Sequence, residues 1–145
     1  MTSELTSVLA PGSRDGVMLR ERAAAAMEHA YAPYSRFRVG VALLGSDGSV
    51  AEGCNVENAS YPAGICAERA AVAAAVARGV RDFVAIVICT EADSPTPPCG
   101  ICRQVLMEFA PQLEVLSVTR NGAEALWSMP DLLPKAFTPT SLGRR

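Results

Sequence analysis

The sequence predicts an α/β domain in which a mixed β-sheet is sandwiched by helices. Three observations point there: a hairpin signal within residues 37–54, a nearly continuous apolar run from Phe83 to Cys89, and helical patterns that alternate with the later strands. The chain has 145 residues, the size of one ordinary domain. Half of them are apolar and 19% are charged, which excludes wholesale disorder. A chain this long buries about 70% of its unfolded surface, so it needs no disulfide staples.

The elements follow in order. Residues 1–13 are rich in Ser, Thr, Gly and Pro and read as a flexible leader ahead of a single domain over residues 14–137. From Arg14 to Tyr31 the residues Val17, Leu19, Ala23, Ala24, Met27, Ala30 and Tyr31 approximate an apolar stripe at helical spacing, closed by Pro33. Phe37 to Leu44 reads as a strand, Ser46-Asp47-Gly48-Ser49 as a hairpin turn, and Val50 to Cys54 as the returning strand. Turn formers over Asn55 to Gly64 predict a loop. Cys66 to Arg78 is dominated by alanine and stopped by Gly79, a strong helix. The Phe83–Cys89 run suits a strand covered on both faces. A Pro-rich loop over Glu91 to Pro98 leads to a short helix at residues 100–109 and a strand from Leu113 to Thr119. Asn121-Gly122 marks a turn, a weak strand runs through Ala125 and Trp127, and Asp131-Leu132-Leu133 suggests one helical turn. Residues 138–145 read as a C-terminal tail.

A formal net charge of −2 argues against an electrostatic grip on nucleic acid or an anionic membrane. The longest uncharged run, Asn58 to Ala67, is ten residues and contains Pro62 and Gly64, far from the ~18 that a spanning helix needs. The N-terminus lacks a basic region and does not read as a signal peptide, which predicts a cytoplasmic protein. Five cysteines is an odd count, and in that setting it favours metal or thiol chemistry over disulfides.

Chemistry concentrates in three stretches: Cys66-Ala67-Glu68-Arg69 and Pro98-Cys99-Gly100-Ile101-Cys102-Arg103-Gln104, both at helix starts, and the loop Asn55-Val56-Glu57-Asn58. Cys99 and Cys102 sit one helical turn apart, so both sulfurs can face one ion. Thiolates hold zinc at about 2.3 Å, and a helix N-terminus lowers the pKa of a thiol such as Cys66. Three thiolates leave one tetrahedral position open, the mark of a catalytic zinc. Glu68 lies about 200° around the helix from Cys66, poorly placed to ligate the same ion but able to stand over the open position and take a proton. The charge of three thiolates calls for an offsetting cation, and Arg69 is the candidate. A Cys-x-x-Cys pair alone also fits a structural zinc knuckle or a redox pair. In a structural module Cys54 or Cys89 would close a four-cysteine site; otherwise both read as small core hydrophobes. His29, the only histidine, falls outside every motif.

A Cys-x-Glu followed by Pro-Cys-x-x-Cys matches the zinc deaminase pattern. With Tyr31-Ala32-Pro33-Tyr34-Ser35, Phe37-Arg38-Val39-Gly40, Asn55-Val56-Glu57-Asn58-Ala59-Ser60-Tyr61 and Leu132-Leu133-Pro134 before Phe137, the chain resembles the small, homotetrameric, three-cysteine cytidine deaminases from about Ala30 to Phe137. The resemblance implies a three-layer α/β/α sandwich with a five-stranded mixed sheet and one Zn²⁺ per chain, held by Cys66, Cys99 and Cys102. It implies hydrolysis of cytidine and 2′-deoxycytidine to the uridines and ammonia in pyrimidine salvage, with Glu68 shuttling protons. It further implies that the Ala67 N–H holds the base carbonyl and that Arg69 donates to the cysteine sulfurs. Phe37 would pack on the base, and Asn55 and Glu57 would bind the ribose 3′-hydroxyl. Tyr61 and Phe137 would reach active sites shared between subunits of a homotetramer. Two alternatives stay open: a deaminase of the same fold acting on another aminopyrimidine nucleoside such as blasticidin S, and a structural zinc module that binds a protein partner.

Overall fold

The structure, a computed structural model, describes residues 7–144. Of the expected leader and tail, residues 1–6 and 145 lie outside the described residues.

Helix α1 spans Arg14–Met27 and begins where Ser13 Oγ accepts the Gly16 N–H at 2.9 Å. It is shorter than its apolar pattern predicts. Past Met27 the bonds tighten to three-residue spacing, with the His29 N–H on Ala26 and the Ala30 N–H on Met27. Tyr31 then leaves the helix to pair with Val56, its N–H donating to the Asn55 carbonyl at 2.9 Å. Leu19, Ala23 and Met27 are buried as expected, whereas Val17 and Tyr31 face outward.

Strands β1 (Val39–Gly45) and β2 (Val50–Cys54) form the expected hairpin, paired from Gly40↔Cys54 to Leu44↔Val50. A 3₁₀ turn over Tyr61–Ala63 interrupts the following loop. Helix α2 (Ala67–Ala77) uses Cys66 as its N-cap and stops before Gly79, whose φ of 85° only glycine adopts freely. Strand β3 (Phe83–Thr90) returns antiparallel to β1. Helix α3 (Gly100–Phe109), N-capped by Cys99, crosses over to β4 (Glu114–Thr119), which runs parallel to β3. Strand β5 (Glu124–Ser128) closes the sheet antiparallel to β4, followed by the short α4 (Met129–Leu132) and a 3₁₀ turn over Pro139–Leu142.

The sheet order is β2-β1-β3-β4-β5. Side-chain alternation splits the core into two layers. Val41, Leu43, Ile86 and Ile88 pack against Ala71, Val72, Leu106 and Met107 on the α2/α3 face. Ala42, Leu44, Ala85 and Val87 pack against Leu19, Ala23 and Met27 of α1 on the other. This is the mixed sheet sandwiched by helices that the pattern of elements predicts, in the five-stranded α/β/α form that the resemblance implies. Part of the segment read as a leader belongs to the α1 layer: Leu9 is buried, Ser7 Oγ donates to Glu114 at 2.8 Å, and the Leu9 carbonyl accepts from Arg20. No helix among the described residues is long and apolar enough to cross a membrane.

Candidate metal centre and active-site cavity

The starts of α2 and α3 meet at one end of the sheet because glycine lets α2 lie directly on β2. A Cβ at Gly53 would collide with the Ala67 carbonyl and approach the Ala71 nitrogen to 2.6 Å. Cys66 and Cys99 are therefore N-caps of two converging helices, and neither side chain caps its own backbone. Their sulfurs are 3.8 Å apart, and those of Cys66, Cys99 and Cys102 all lie within 4.8 Å of one another. Tetrahedral zinc with bonds of about 2.3 Å requires sulfurs about 3.8 Å apart, so the cluster fits the ion with small adjustments. Both helix dipoles point their positive ends at the thiolates.

Arg69, one turn into α2, donates from Nη2 to Cys66 Sγ at 3.5 Å. Hydrogen bonding from Cys102, together with Arg69 and Cys99, lowers the Cys66 thiol from 9.0 to about 5. Cys102 is pushed up, first because it donates to Cys66 and then by burial, so in the metal-free cluster Cys66 carries the negative charge. Glu68 is only 5% exposed. Burial raises its carboxyl from 4.5 to about 7, with Cys66 adding to the rise and Arg69 opposing it. A carboxyl that can hold or release a proton near neutral pH suits acid–base work.

Cys54 and Cys89 do not join the cluster. Both pair across the sheet with Gly40, whose missing side chain points at Ala23 and Met27, so they face the α1 layer. The only group of His, Cys, Asp or Glu among the described residues that can hold a metal is Cys66, Cys99 and Cys102. A four-cysteine structural site completed by Cys54 or Cys89 is therefore not formed.

A cavity of about 260 Å³ opens over the cluster, and Cys66, Ala67, Glu68 and Cys99 form one wall. Phe37, Asn55 and Glu57 form another, so seven of the residues singled out from sequence share one space. Ala67 is the first residue of α2, where a backbone N–H has no partner within its helix. Asn55 is locked in place: its Oδ1 accepts the Val39 N–H and its Nδ2 donates to the Phe37 carbonyl, both at 2.8 Å. Glu57 Oε1 accepts the N–H groups of Tyr34 and Ser35 at 2.9 and 3.0 Å, and Oε2 accepts the Ser35 hydroxyl. Those donors, the Ser35 hydroxyl foremost, hold the Glu57 carboxyl below its ordinary range.

Two expected residues lie elsewhere in the single chain. Tyr61 is 75% exposed, packs edge-on to Tyr34, and lines a neighbouring cavity of about 320 Å³ that shares Ser35 and Glu57 with the first. Phe137 is exposed and outside the catalytic cavity, its carbonyl held by Gln104 Nε2 at 2.7 Å. Arg103 braces the cysteine loop, donating to the Pro98 and Leu132 carbonyls at 2.7 Å. Ser35, Val39, Ile88, Thr90, Thr96 and Pro97 also line the cavity. Of these, Ser35 and Val39 had a sequence signal, in the Tyr31–Ser35 and Phe37–Gly40 motifs.

An α/β/α sandwich with a three-thiolate cluster at two helix N-termini and a buried carboxyl beside it defines a zinc-dependent hydrolase of the deaminase class. Residues 15–117 match the profile of the cytidine and deoxycytidylate deaminase zinc-binding region. The chain belongs to this family. It is 48% identical over 125 residues to the cytidine deaminase of Halalkalibacterium halodurans, spanning 86% of this chain and 95% of that protein. The crystal structure of cytidine deaminase from Burkholderia pseudomallei is 51% identical and superposes with a TM-score of 0.81, covering 83% of this chain and 98% of that one. The Mycobacterium tuberculosis cytidine deaminase structure, 43% identical, gives 0.74 over 85% and 97%. The domain is zinc-binding, and Cys66, Cys99 and Cys102 are positioned to hold the metal.

Proposed function

We propose that the protein deaminates cytidine and 2′-deoxycytidine to uridine and 2′-deoxyuridine with release of ammonia, as a cytoplasmic enzyme of pyrimidine salvage. The observation that carries this reading is the shared cavity, where the thiolate cluster and Glu68 face Phe37, Asn55 and Glu57. Cys66, Cys99 and Cys102 hold one zinc ion, which when bound supplies a Lewis acid that makes water acidic enough to attack at neutral pH. Glu68 takes one proton from water and delivers it to pyrimidine N3 while the hydroxide bonds to C4. It then takes the remaining proton from that C4 hydroxyl and passes it to the amino group, so the C4–N bond breaks and ammonia leaves. The buried position of Glu68 keeps bulk water from competing for either proton. The Ala67 N–H holds the base carbonyl, and the Phe37 ring covers the base. Arg69 donates to the sulfurs and moderates their charge. Asn55 presents its second amide hydrogen, and Glu57 a carboxylate, to the 3′-hydroxyl of the sugar. Tyr61 and Phe137, solvent-exposed in one chain, serve active sites shared between the subunits of a homotetramer.

Mixing the purified protein with cytidine while following the loss of cytidine's near-ultraviolet absorbance, alongside bound-zinc analysis, tests the reaction. Glu68→Gln should fold and keep its zinc yet lose at least about 10³-fold in kcat. A zinc-loaded Glu68→Gln protein of near-normal activity would remove Glu68 from the mechanism. A zinc-loaded wild type inert toward cytidine would move the substrate to another aminopyrimidine nucleoside.

A further inference from the structure

Glu57 is a sugar-binding carboxylate whose hydrogen-bond directions are set by a neighbour. The Ser35 hydroxyl bridges two parts of the cavity wall: its oxygen accepts the Phe37 N–H at 3.1 Å, and its proton goes to Glu57 Oε2. A backbone N–H can only donate, so the Ser35 hydroxyl, accepting from Phe37, turns its own hydrogen toward the carboxylate. Arg36, between Ser35 and Phe37, adopts a left-handed φ of 56°, and its N–H closes the turn on the Ala32 carbonyl at 3.0 Å. With two N–H groups on Oε1 and a hydroxyl on Oε2, Glu57 is an ionised acceptor that cannot itself donate.

We propose that Ser35 is a positioning residue that determines sugar specificity: it holds Glu57 as a pure acceptor and ties it to Phe37, so that the site selects nucleosides whose 3′ group donates a hydrogen bond. This rests on the nucleoside reading above and goes beyond it in naming what sets the selectivity. A 3′-hydroxyl satisfies the remaining lone pair. A 3′-deoxy sugar leaves that lone pair dry, and a 3′-fluoro group meets it with a second electronegative atom. Ser35→Ala frees Oε2 and lets the carboxylate rotate, which weakens the preference. It also unties the Phe37 N–H. That second loss affects every substrate alike, so the ratio between substrates isolates the first.

The experiment measures kcat and KM for wild type, Ser35→Ala and Ser35→Thr with 2′-deoxycytidine, 2′,3′-dideoxycytidine and its 3′-fluoro analogue. A hydrogen bond to a charged group is worth about tenfold or more in binding. The preference of the wild type for the 3′-hydroxyl, as the ratio of kcat/KM values, should therefore fall roughly five- to tenfold in Ser35→Ala, mainly through KM for 2′-deoxycytidine. Ser35→Thr, which keeps the hydroxyl, should restore it. An equal loss on all three substrates in Ser35→Ala would overturn the proposal, leaving Ser35 only a structural turn residue. So would an unchanged ratio. If Ser35→Ala fails to fold, the threonine variant still decides, since retention of the full 3′ preference supports the role and its loss in a folded protein refutes it. Failure of wild type to turn over any of the three nucleosides would strike the reading of the reaction itself.

Discussion

Glu68 shows how strongly a position in the fold can change an ordinary carboxyl. In the zinc-free protein burial lets it keep its proton up to about pH 7, whereas unfolded it ionises near 4.5. The native state thus binds the extra proton between those values. Its contribution to stability is full below the unfolded pKa and is lost as pH rises through about 7. Urea unfolding of the zinc-free protein should therefore show wild type losing stability between about pH 5 and pH 8, with Glu68→Gln flattening that slope. Above pH 7 the variant should gain up to about 3 kcal/mol over wild type. Equal slopes in the two proteins would show that the carboxyl is hydrated rather than buried. Glu57 shifts the opposite way because Ser35 and Tyr34 donate to it, and a change at Ser35 is read in substrate preference rather than in stability.

At the scale of elements, the site depends on where two helices begin. Helix α2 lies so close to β2 that Gly53 cannot carry a side chain without displacing Ala67 and Ala71. Gly53→Ala should cost about 1–3 kcal/mol in denaturant unfolding and, by pushing the first turn of α2 away from α3, weaken zinc retention against a chelator. Full stability with full retention would mean that α2 can shift without loss. The opposite wall is held from two sides. Asn55 fixes the Phe37 carbonyl and the Val39 N–H, while Glu91 accepts the Arg38 N–H at 3.1 Å and pairs with its guanidinium. Arg38 keeps the Glu91 carboxyl below its ordinary range, so this clasp is present above the usual carboxylate pKa and is lost as pH falls through the lower folded value. Both groups are partly exposed, so Glu91→Gln should cost less than about 1 kcal/mol.

For the whole molecule, zinc joins the start of α2 to the start of α3, two helices that pack on the same face of the sheet. Metal that binds only the native state adds its binding free energy to stability, about 4 kcal/mol when free zinc is 1,000-fold above its Kd. Chelation should lower the unfolding midpoint, and restored zinc should recover it; a midpoint indifferent to chelator would mean that no zinc is bound preferentially by the native state. The large apolar side chains left exposed in one chain include Tyr61, Ile101, Phe137 and Leu142. The proposed tetramer covers such surface, and light scattering of the active protein should return four copies. An active monomer would withdraw the shared sites assigned to Tyr61 and Phe137.

The sequence by itself determined the elements and the chemistry carried by short spacings. The hairpin around Gly48, the alanine helix ending before Gly79, the apolar β3 run and the Cys-x-x-Cys pair are local patterns, each set by backbone freedom or side-chain period within a few residues. Cys99 and Cys102 were legible for the same reason, since a ligand pair one turn apart states its own geometry, and Cys66 and Glu68 were legible as a Cys-x-Glu at a helix start. Only the tertiary structure decided what meets across the sheet. Strand pairing carries Cys54 and Cys89 to the α1 face, away from the metal cluster, which closes the structural-module alternative that either would complete a four-cysteine site. Tyr31 continues the helical stripe on paper but is drawn off by Val56, a partner far along the sequence. Leu9, in a stretch that reads as loose, finds the part of the β-sheet that α1 leaves uncovered. Ser35 ends a motif in the chain, but what it touches is decided only when folding sets Glu57 and the Phe37 N–H on either side of its oxygen. In each case the deciding contact lies between parts of the fold whose separation the local pattern does not encode, and packing outweighs propensity because burial and satisfied hydrogen bonds are gained only once the layers close.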